Sequence, residues 1–86
     1  MYRDHTIAVV VPAFREEKLI AQTIAGVPDF VDAIFVIDDA SPDQTSDAVK
    51  AIESPRVHLT RLPSNRGVGG AILEGHRQAL DAGCQI

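Results

Sequence analysis

Asp38 and Asp39 are consecutive carboxylates at the end of the apolar run Ile34-Phe35-Val36-Ile37. Charge at the tip of a buried strand is costly to desolvate unless it meets a partner or a ligand, so this pair is expected to face a crevice. A carboxylate there can accept one hydrogen bond from the ring N–H of uracil, or a bidentate pair from guanine, and such charge-assisted bonds are strong. Asp39 is favoured for that role. Asp38 has the alternative of capping the next helix through nearby amides.

Two further segments carry chemistry of the same kind, Pro12-Ala13-Phe14-Arg15-Glu16-Glu17 and Asn65-Arg66-Gly67-Val68-Gly69-Gly70. Glu16 can reach base or ribose hydroxyls if its loop folds back, or complement a helix dipole, which is the better account of Glu17. Phe14 can wall a pocket or plug the core. Arg15 and Arg66 have the forked geometry for a diphosphate, although Arg15 also fits a solvated surface. Gly67 and Gly69 allow a close backbone approach to a ligand or tight packing on a sheet. Gly75 and Gly83 read as packing and capping glycines.

These segments need a scaffold that brings them together, and the hydropathy pattern supplies one. Ile7 to Val11 is an apolar run that Pro12 should end, because proline cannot donate to a ladder. A helix follows from Glu16 through Leu19, Ile20, Ile24 and Val27, with Gly26 and Pro28 at its end. Ala33 to Asp38 is the second strand, apolar on both faces as in a parallel sheet covered by helices. Ser41-Pro42-Asp43-Gln44 reads as a capping box, with Pro42 at the first helical position, for a helix through Ala48, Val49 and Ile52 that stops near Pro55.

Val57 to Leu62 has the mixed character of an edge strand. A last helix presents Ala71, Ile72, Gly75, Ala79 and Leu80 on one face, with Gly83 as its cap. Cys84-Gln85-Ile86 resembles the start of a fourth strand. The alternation predicts an α/β fold, an open parallel sheet in order 3-2-1-4 with flanking helices. Neighbouring strands lie about 4.8 Å apart, so the loops at the carboxyl edge share one crevice, where such sheets bind ligands. The exposed side of the first strand invites self-association.

Composition narrows the class. With 86 residues, 45% apolar and 23% charged, the chain is one ordinary globular domain or part of one. A formal charge of -4 argues against nucleic acid or an anionic membrane as partner. Cys84 stands alone, so neither an internal disulfide nor a thiolate metal cluster can form. His5, His58 and His76 show no metal-ligand spacing. No apolar stretch approaches the roughly 20 residues of a membrane span, and the first residues lack the apolar core of a signal peptide, which predicts a soluble, cytoplasmic chain.

From Ile7 to Ile86 the sequence resembles the nucleotide-binding half of the family 2 inverting glycosyltransferases, whose GT-A fold is Rossmann-like, and particularly the dolichol-phosphate-sugar synthase-like branch. A Pro-x-(Tyr/Phe)-Asn-Glu pattern after the first strand is matched by Pro12, Phe14 and Glu16, with Arg15 in place of Asn. Asp-Asp-Gly-Ser-x-Asp-x-Thr is matched by Asp38, Asp39, Ser41, Asp43 and Thr45, with Ala40 in place of Gly. Asn-x-Gly-x-Gly-x-Ala is matched by Asn65, Gly67, Gly69 and Ala71.

The resemblance implies a UDP- or GDP-sugar donor bound by Pro12, Ala13, Phe14, Glu16, Asp38, Asp39, Ser41, Asn65, Arg66, Gly67 and Gly69. It also implies a polyprenyl or dolichyl phosphate acceptor and a membrane-associated parent whose site faces the cytoplasm. Mg²⁺ or Mn²⁺ is implied for the intact enzyme, on an Asp-x-Asp motif after the fourth strand, with the acceptor-activating base later still. Both would lie beyond Ile86, so residues 1–86 are expected to form a truncated domain without catalytic residues or metal ligands, inactive alone.

Two other classes compete. A receiver-like signalling module needs a phosphoacceptor Asp after the third strand, where Pro63-Ser64-Asn65 stands instead. A nucleotide-binding protein without transferase activity shares the residues of the donor site. A Rossmann oxidoreductase ranks below these, because its glycine fingerprint belongs after the first strand.

Overall fold

The computed structural model describes residues 6–84. Three strands, β1 (Ala8–Ala13), β2 (Ala33–Asp38) and β3 (Val57–Arg61), alternate with the helices α1 (Ile20–Ala25), α2 (Thr45–Lys50) and α3 (Gly67–Asp81). Both strand pairings are parallel and β2 is central, with Ala13 opposite Asp38 and Asp38 opposite Arg61. All six residues of β2 are buried, as expected of a strand covered on both faces.

Side-chain alternation sorts the core into two layers. Val9, Val11, Ile34, Val36, Val57 and Leu59 meet Ile20, Ile24 and Val49 of α1 and α2. On the other face, Val10, Phe35 and Ile37 meet Ala71 and Ala79 of α3. Burying each large aliphatic side chain contributes about 1.5–3 kcal/mol, so Ile34, Val36 and Ile37, all at 0% exposure, anchor the sheet.

Pro12 lies within β1 rather than beyond it, paired opposite Ile37. The Ile7 carbonyl accepts from the amides of Asp32 and Ala33, at the start of β2, and the Ala13 carbonyl from that of Asp39, just past its end. Backbone groups alternate in direction along a strand, so the odd-numbered residues of β1 serve β2 and the even-numbered ones point to the open side. Proline's missing N–H therefore falls where no ladder bond is needed. Among the described residues β1 borders the sheet. Gln85 and Ile86 of the expected fourth strand lie outside them.

The capping box does not form. α2 begins at Thr45 with Gln44 at the cap position and no side-chain capping bond; just ahead of it, Asp43 Oδ1 accepts from the Thr45 amide at 3.1 Å. The Ser41 hydroxyl is already engaged by the Arg15 amide, which leaves Pro42 and Gln44 outside the helix. α1 is also shorter than expected, entered through a turn in which the amides of Leu19 and Ile20 both donate to the Glu16 carbonyl.

α3 presents to the sheet a stripe of small residues four apart, Ala71, Gly75 and Ala79. A Cβ on Gly75 would stand 2.2 Å from Val10 Cγ1, so the helix reaches the sheet only because that position is bare. Leu80 departs from the expected face and is 66% exposed, one position round the helix from Ala79. The end of α3 is a Schellman motif. Gly83, at φ +79°, donates to the Leu80 carbonyl and Cys84 donates to that of Ala79.

Candidate nucleotide-binding site

The three strands release their loops at one edge, and the backbone ties those loops together at Asp39. Its amide donates to the Ala13 carbonyl at 2.9 Å, and its carbonyl accepts from Asn65 Nδ2 at 3.2 Å. Its carboxylate Oδ1 accepts from the Arg66 amide at 2.7 Å. Asn65 Oδ1 in turn accepts from the Gly67 amide at 3.1 Å, which shapes the entry into α3. Among the described residues no protein group donates to the second oxygen, Oδ2, although the residue is only 4% exposed.

A cleft of about 160 Å³ opens beside this node, lined by Pro12, Ala13, Phe14, Glu16, Asp39, Val68 and Ala71. Phe14 is 39% exposed and walls the cleft, with the Arg15 guanidinium 5.4 Å from its ring centroid. Glu16 is half-buried at the same wall. Arg66, Gly67 and Gly69 are exposed at the start of α3, and no atom lies within 4 Å of a Cβ built on Gly69. Val68 and Ala71 also line the cleft, although neither was among the residues expected to bind the donor. The signal for them was their spacing, which places them one turn apart on the first turns of α3.

Asp38 and Ser41 lie behind the cleft. Asp38 is 0% exposed, its Oδ1 accepting from the Ser41 amide at 2.9 Å and its Oδ2 from Arg61 Nη1 at 3.0 Å and from the Ser46 hydroxyl. Burial pushes its pKa up, but the hydrogen bonds from Ser41 and Ser46 and the Arg61 charge outweigh that and hold it below the ordinary carboxylate value. Arg61 also donates to the Ser41 carbonyl at 2.9 Å. The costly charge at the strand tip thus finds its partners inside the protein. Arg61 and Ser46 were not anticipated, because only the register of β3 sets Arg61 opposite Asp38.

Two non-glycine residues adopt left-handed backbone conformations here, Arg15 at φ 56° and Ala40 at φ 60°. That region costs an L-residue roughly 1–2 kcal/mol. They are the two positions where the sequence carries Arg in place of Asn and Ala in place of Gly. Both amides of the first turn are held by hydroxyls from the second loop, Arg15 N–H by Ser41 Oγ at 3.0 Å and Glu16 N–H by Thr45 Oγ1 at 2.9 Å.

Among the described residues, no three His, Cys, Asp or Glu side chains converge as a set of metal ligands, and no helix is long and apolar enough to cross a membrane. Chemically, the edge offers a carboxylate with one open oxygen, an aromatic wall, a second carboxylate at Glu16 and an approachable helix start.

The family model described as glycosyl transferase family 2 matches residues 8–82, which include all three loops. The chain is 32% identical over 84 residues to the undecaprenyl-phosphate mannosyltransferase of Micrococcus luteus, covering 93% of this chain and 35% of that protein. It is 29% identical over 98 residues to the UDP-N-acetylglucosamine–dolichyl-phosphate N-acetylglucosaminyltransferase of Methanococcus voltae, covering 96% and 39%. It is 33% identical over 84 residues to the dolichyl-phosphate beta-glucosyltransferase of Homo sapiens, covering 80% and 26%. The chain spans about a third of the length of these curated relatives. With a family match over nearly all of its length and an edge whose loops meet at one carboxylate, this chain belongs to glycosyl transferase family 2.

Proposed function

We propose that this chain is the donor-binding part of a glycosyltransferase that moves a sugar from a UDP- or GDP-sugar to a polyprenyl or dolichyl phosphate. The observation that carries the reading is the position of Asp39, whose Oδ1 is anchored by Arg66 while Oδ2 stays open beside the cleft of Phe14 and Glu16. An acceptor fixed at one oxygen and open at the other is preorganised for a base N–H. Phe14 would give the base an apolar wall, and Glu16, in the same lining, would take the ribose hydroxyls. Arg66 and the exposed first turn of α3 would meet the diphosphate.

In the transfer itself, a phosphate oxygen of the acceptor attacks the anomeric carbon, and the bond from that carbon to the nucleoside diphosphate breaks with inversion. Mg²⁺ or Mn²⁺ in the whole enzyme would neutralise the departing diphosphate. Residues 6–84 show no ligand set that fits such an ion, and its ligands are expected elsewhere in the protein, as is the catalytic base. Residues 1–86 alone are expected to bind nucleotide and not to transfer sugar. The lipid acceptor rests on the names of the relatives from Micrococcus luteus, Methanococcus voltae and Homo sapiens.

The fold of the whole domain is expected to continue with a fourth strand on β1, in order 3-2-1-4. The backbone groups of Ala8 and Val10 point to that open side. An uncovered edge of this kind would also pair with a second copy at high concentration.

Titration with UDP and with GDP, followed by amide chemical shifts, tests the nucleotide site. Shifts are expected at Phe14, Glu16, Asp39 and residues 65–70, with none at Gly26 or Ser54. Shifts confined to the opposite edge of the sheet would overturn the assignment.

A further inference from the structure

The turn from β1 into α1 holds Arg15 in a conformation that an L-residue rarely adopts. Such a conformation persists only where the surroundings over-determine it. The two amides on either side of the Arg15 Cα are both held by side-chain hydroxyls from the β2–α2 segment, Ser41 for Arg15 and Thr45 for Glu16. Phe14 and Glu16, on either side of Arg15, are also the residues that wall the cleft.

Thr45 is the more specialised of the two clamps. It is 0% exposed in the first turn of α2 and does not line the cleft. Its hydroxyl donates to Asp43 Oδ1, and the same oxygen of Asp43 accepts from the Thr45 amide. With its proton committed to a carboxylate, the Thr45 oxygen is polarised and its acceptor side faces the Glu16 amide at 2.9 Å. The hydrogen bond from Thr45 is also the main reason the Asp43 carboxyl sits below its ordinary pKa.

We infer that Thr45, with Asp43 behind it, is a positioning residue that fixes the Phe14–Glu16 wall of the nucleotide cleft through the Glu16 amide. The inference rests on the cleft's being the nucleotide site, but it has a readout of its own.

Thr45→Val preserves shape and removes the acceptor, whereas Thr45→Ser keeps it. In the 86-residue chain, Thr45→Val is expected to raise the Kd for UDP or GDP about tenfold, the equivalent of one lost hydrogen bond, and to remove hydrogen-exchange protection at the Glu16 amide. Thr45→Ser should keep both near the parent values. A Thr45→Val variant that melts earlier yet keeps its Kd and its Glu16 protection overturns the inference. If Thr45→Val does not fold, Asp43→Ala carries the test, with weaker nucleotide binding and faster Glu16 exchange expected, and no change in either counting against it. If the parent chain binds neither nucleotide, the nucleotide reading fails, and the Glu16 exchange comparison alone decides the positioning role.

Discussion

Arg66 donates its backbone amide to Asp39 Oδ1 at 2.7 Å, linking the tip of the central strand to the residue that opens α3. The bond crosses 27 residues of sequence and occupies one oxygen of Asp39, while no protein group among the described residues donates to the other. Its neighbour Asp38 gives both oxygens to the protein. Adjacent and chemically identical, the two carboxylates are separated in role by the alternation of a strand and the loop that follows it.

That division predicts opposite outcomes for one substitution. Asp39→Asn retains an oxygen for the Arg66 amide, so Tm should change little, while affinity for UDP or GDP falls by about 1.5–3 kcal/mol, the range for a hydrogen bond to a charged group. Asp38→Asn should lower stability by a similar about 1.5–3 kcal/mol and leave the cleft's lining residues in place. Thermal melts and isothermal titrations of both variants, run together, check the assignment. An Asp39 variant that melts early and binds normally would reverse it.

Asp38 also sets an acid limit. Its folded pKa is depressed, so near the unfolded value of about 3.9 the unfolded chain binds more protons than the folded one. The stability it contributes is fully present above that value and is lost as pH falls through the lower folded pKa. Denaturant midpoints should therefore be level with respect to this group above about pH 5 and fall below about pH 4, with a shallower fall in Asp38→Asn. Arg61→Ala should cost about 1 kcal/mol or less, because the Arg61 side chain is 50% exposed and its charge screened by water.

Ala40 at φ 60° predicts a gain in stability. Ala40→Gly relieves the left-handed strain at the cost of extra freedom in the unfolded chain, for a net stabilisation of roughly 0.5–1 kcal/mol. Urea denaturation would register it as a higher midpoint with an unchanged slope. A lower midpoint would show that the Ala40 methyl contributes packing greater than the strain.

Gly75 and Gly69, both in α3, should respond in opposite directions to alanine. Gly75→Ala drives a Cβ into Val10 and should cost about 1–3 kcal/mol despite its better helix propensity, with partial recovery in the Gly75→Ala, Val10→Ala double variant. Gly69→Ala meets nothing and should stabilise by about 0.5–1 kcal/mol. If a nucleotide diphosphate approaches that turn closely, the same change weakens its binding, and a titration of the Gly69 variant reads both effects at once.

Much of this arrangement is legible along the chain. The apolar run Ala33 to Ile37, closed by Asp38, is long enough for one strand and too apolar for an exposed one, and it does become the buried centre of a parallel sheet. Gly83 after a helical pattern announces its cap, and the three loops follow from strands that all run the same way. These features are local, set by backbone sterics, periodicity and the cost of exposing apolar side chains. A neighbouring element changes them little.

Tertiary structure decided which polar group meets which. Ser41 reads as a helix cap by its spacing, yet its hydroxyl holds the Arg15 amide and α2 starts without a side-chain cap, because a hydroxyl goes to whichever amide the fold brings within reach. Leu80 fits a helical apolar face, yet it stays exposed because the stripe that reaches the sheet is selected by the bare Cα of Gly75. Arg61 finds Asp38 only through strand register. Sequence periodicity determines the faces of strands and helices, since one short stretch contains all the geometry involved. The partners of charges and hydroxyls depend on angstrom-scale distances between loops roughly 25 residues apart, and those exist only once the sheet is assembled.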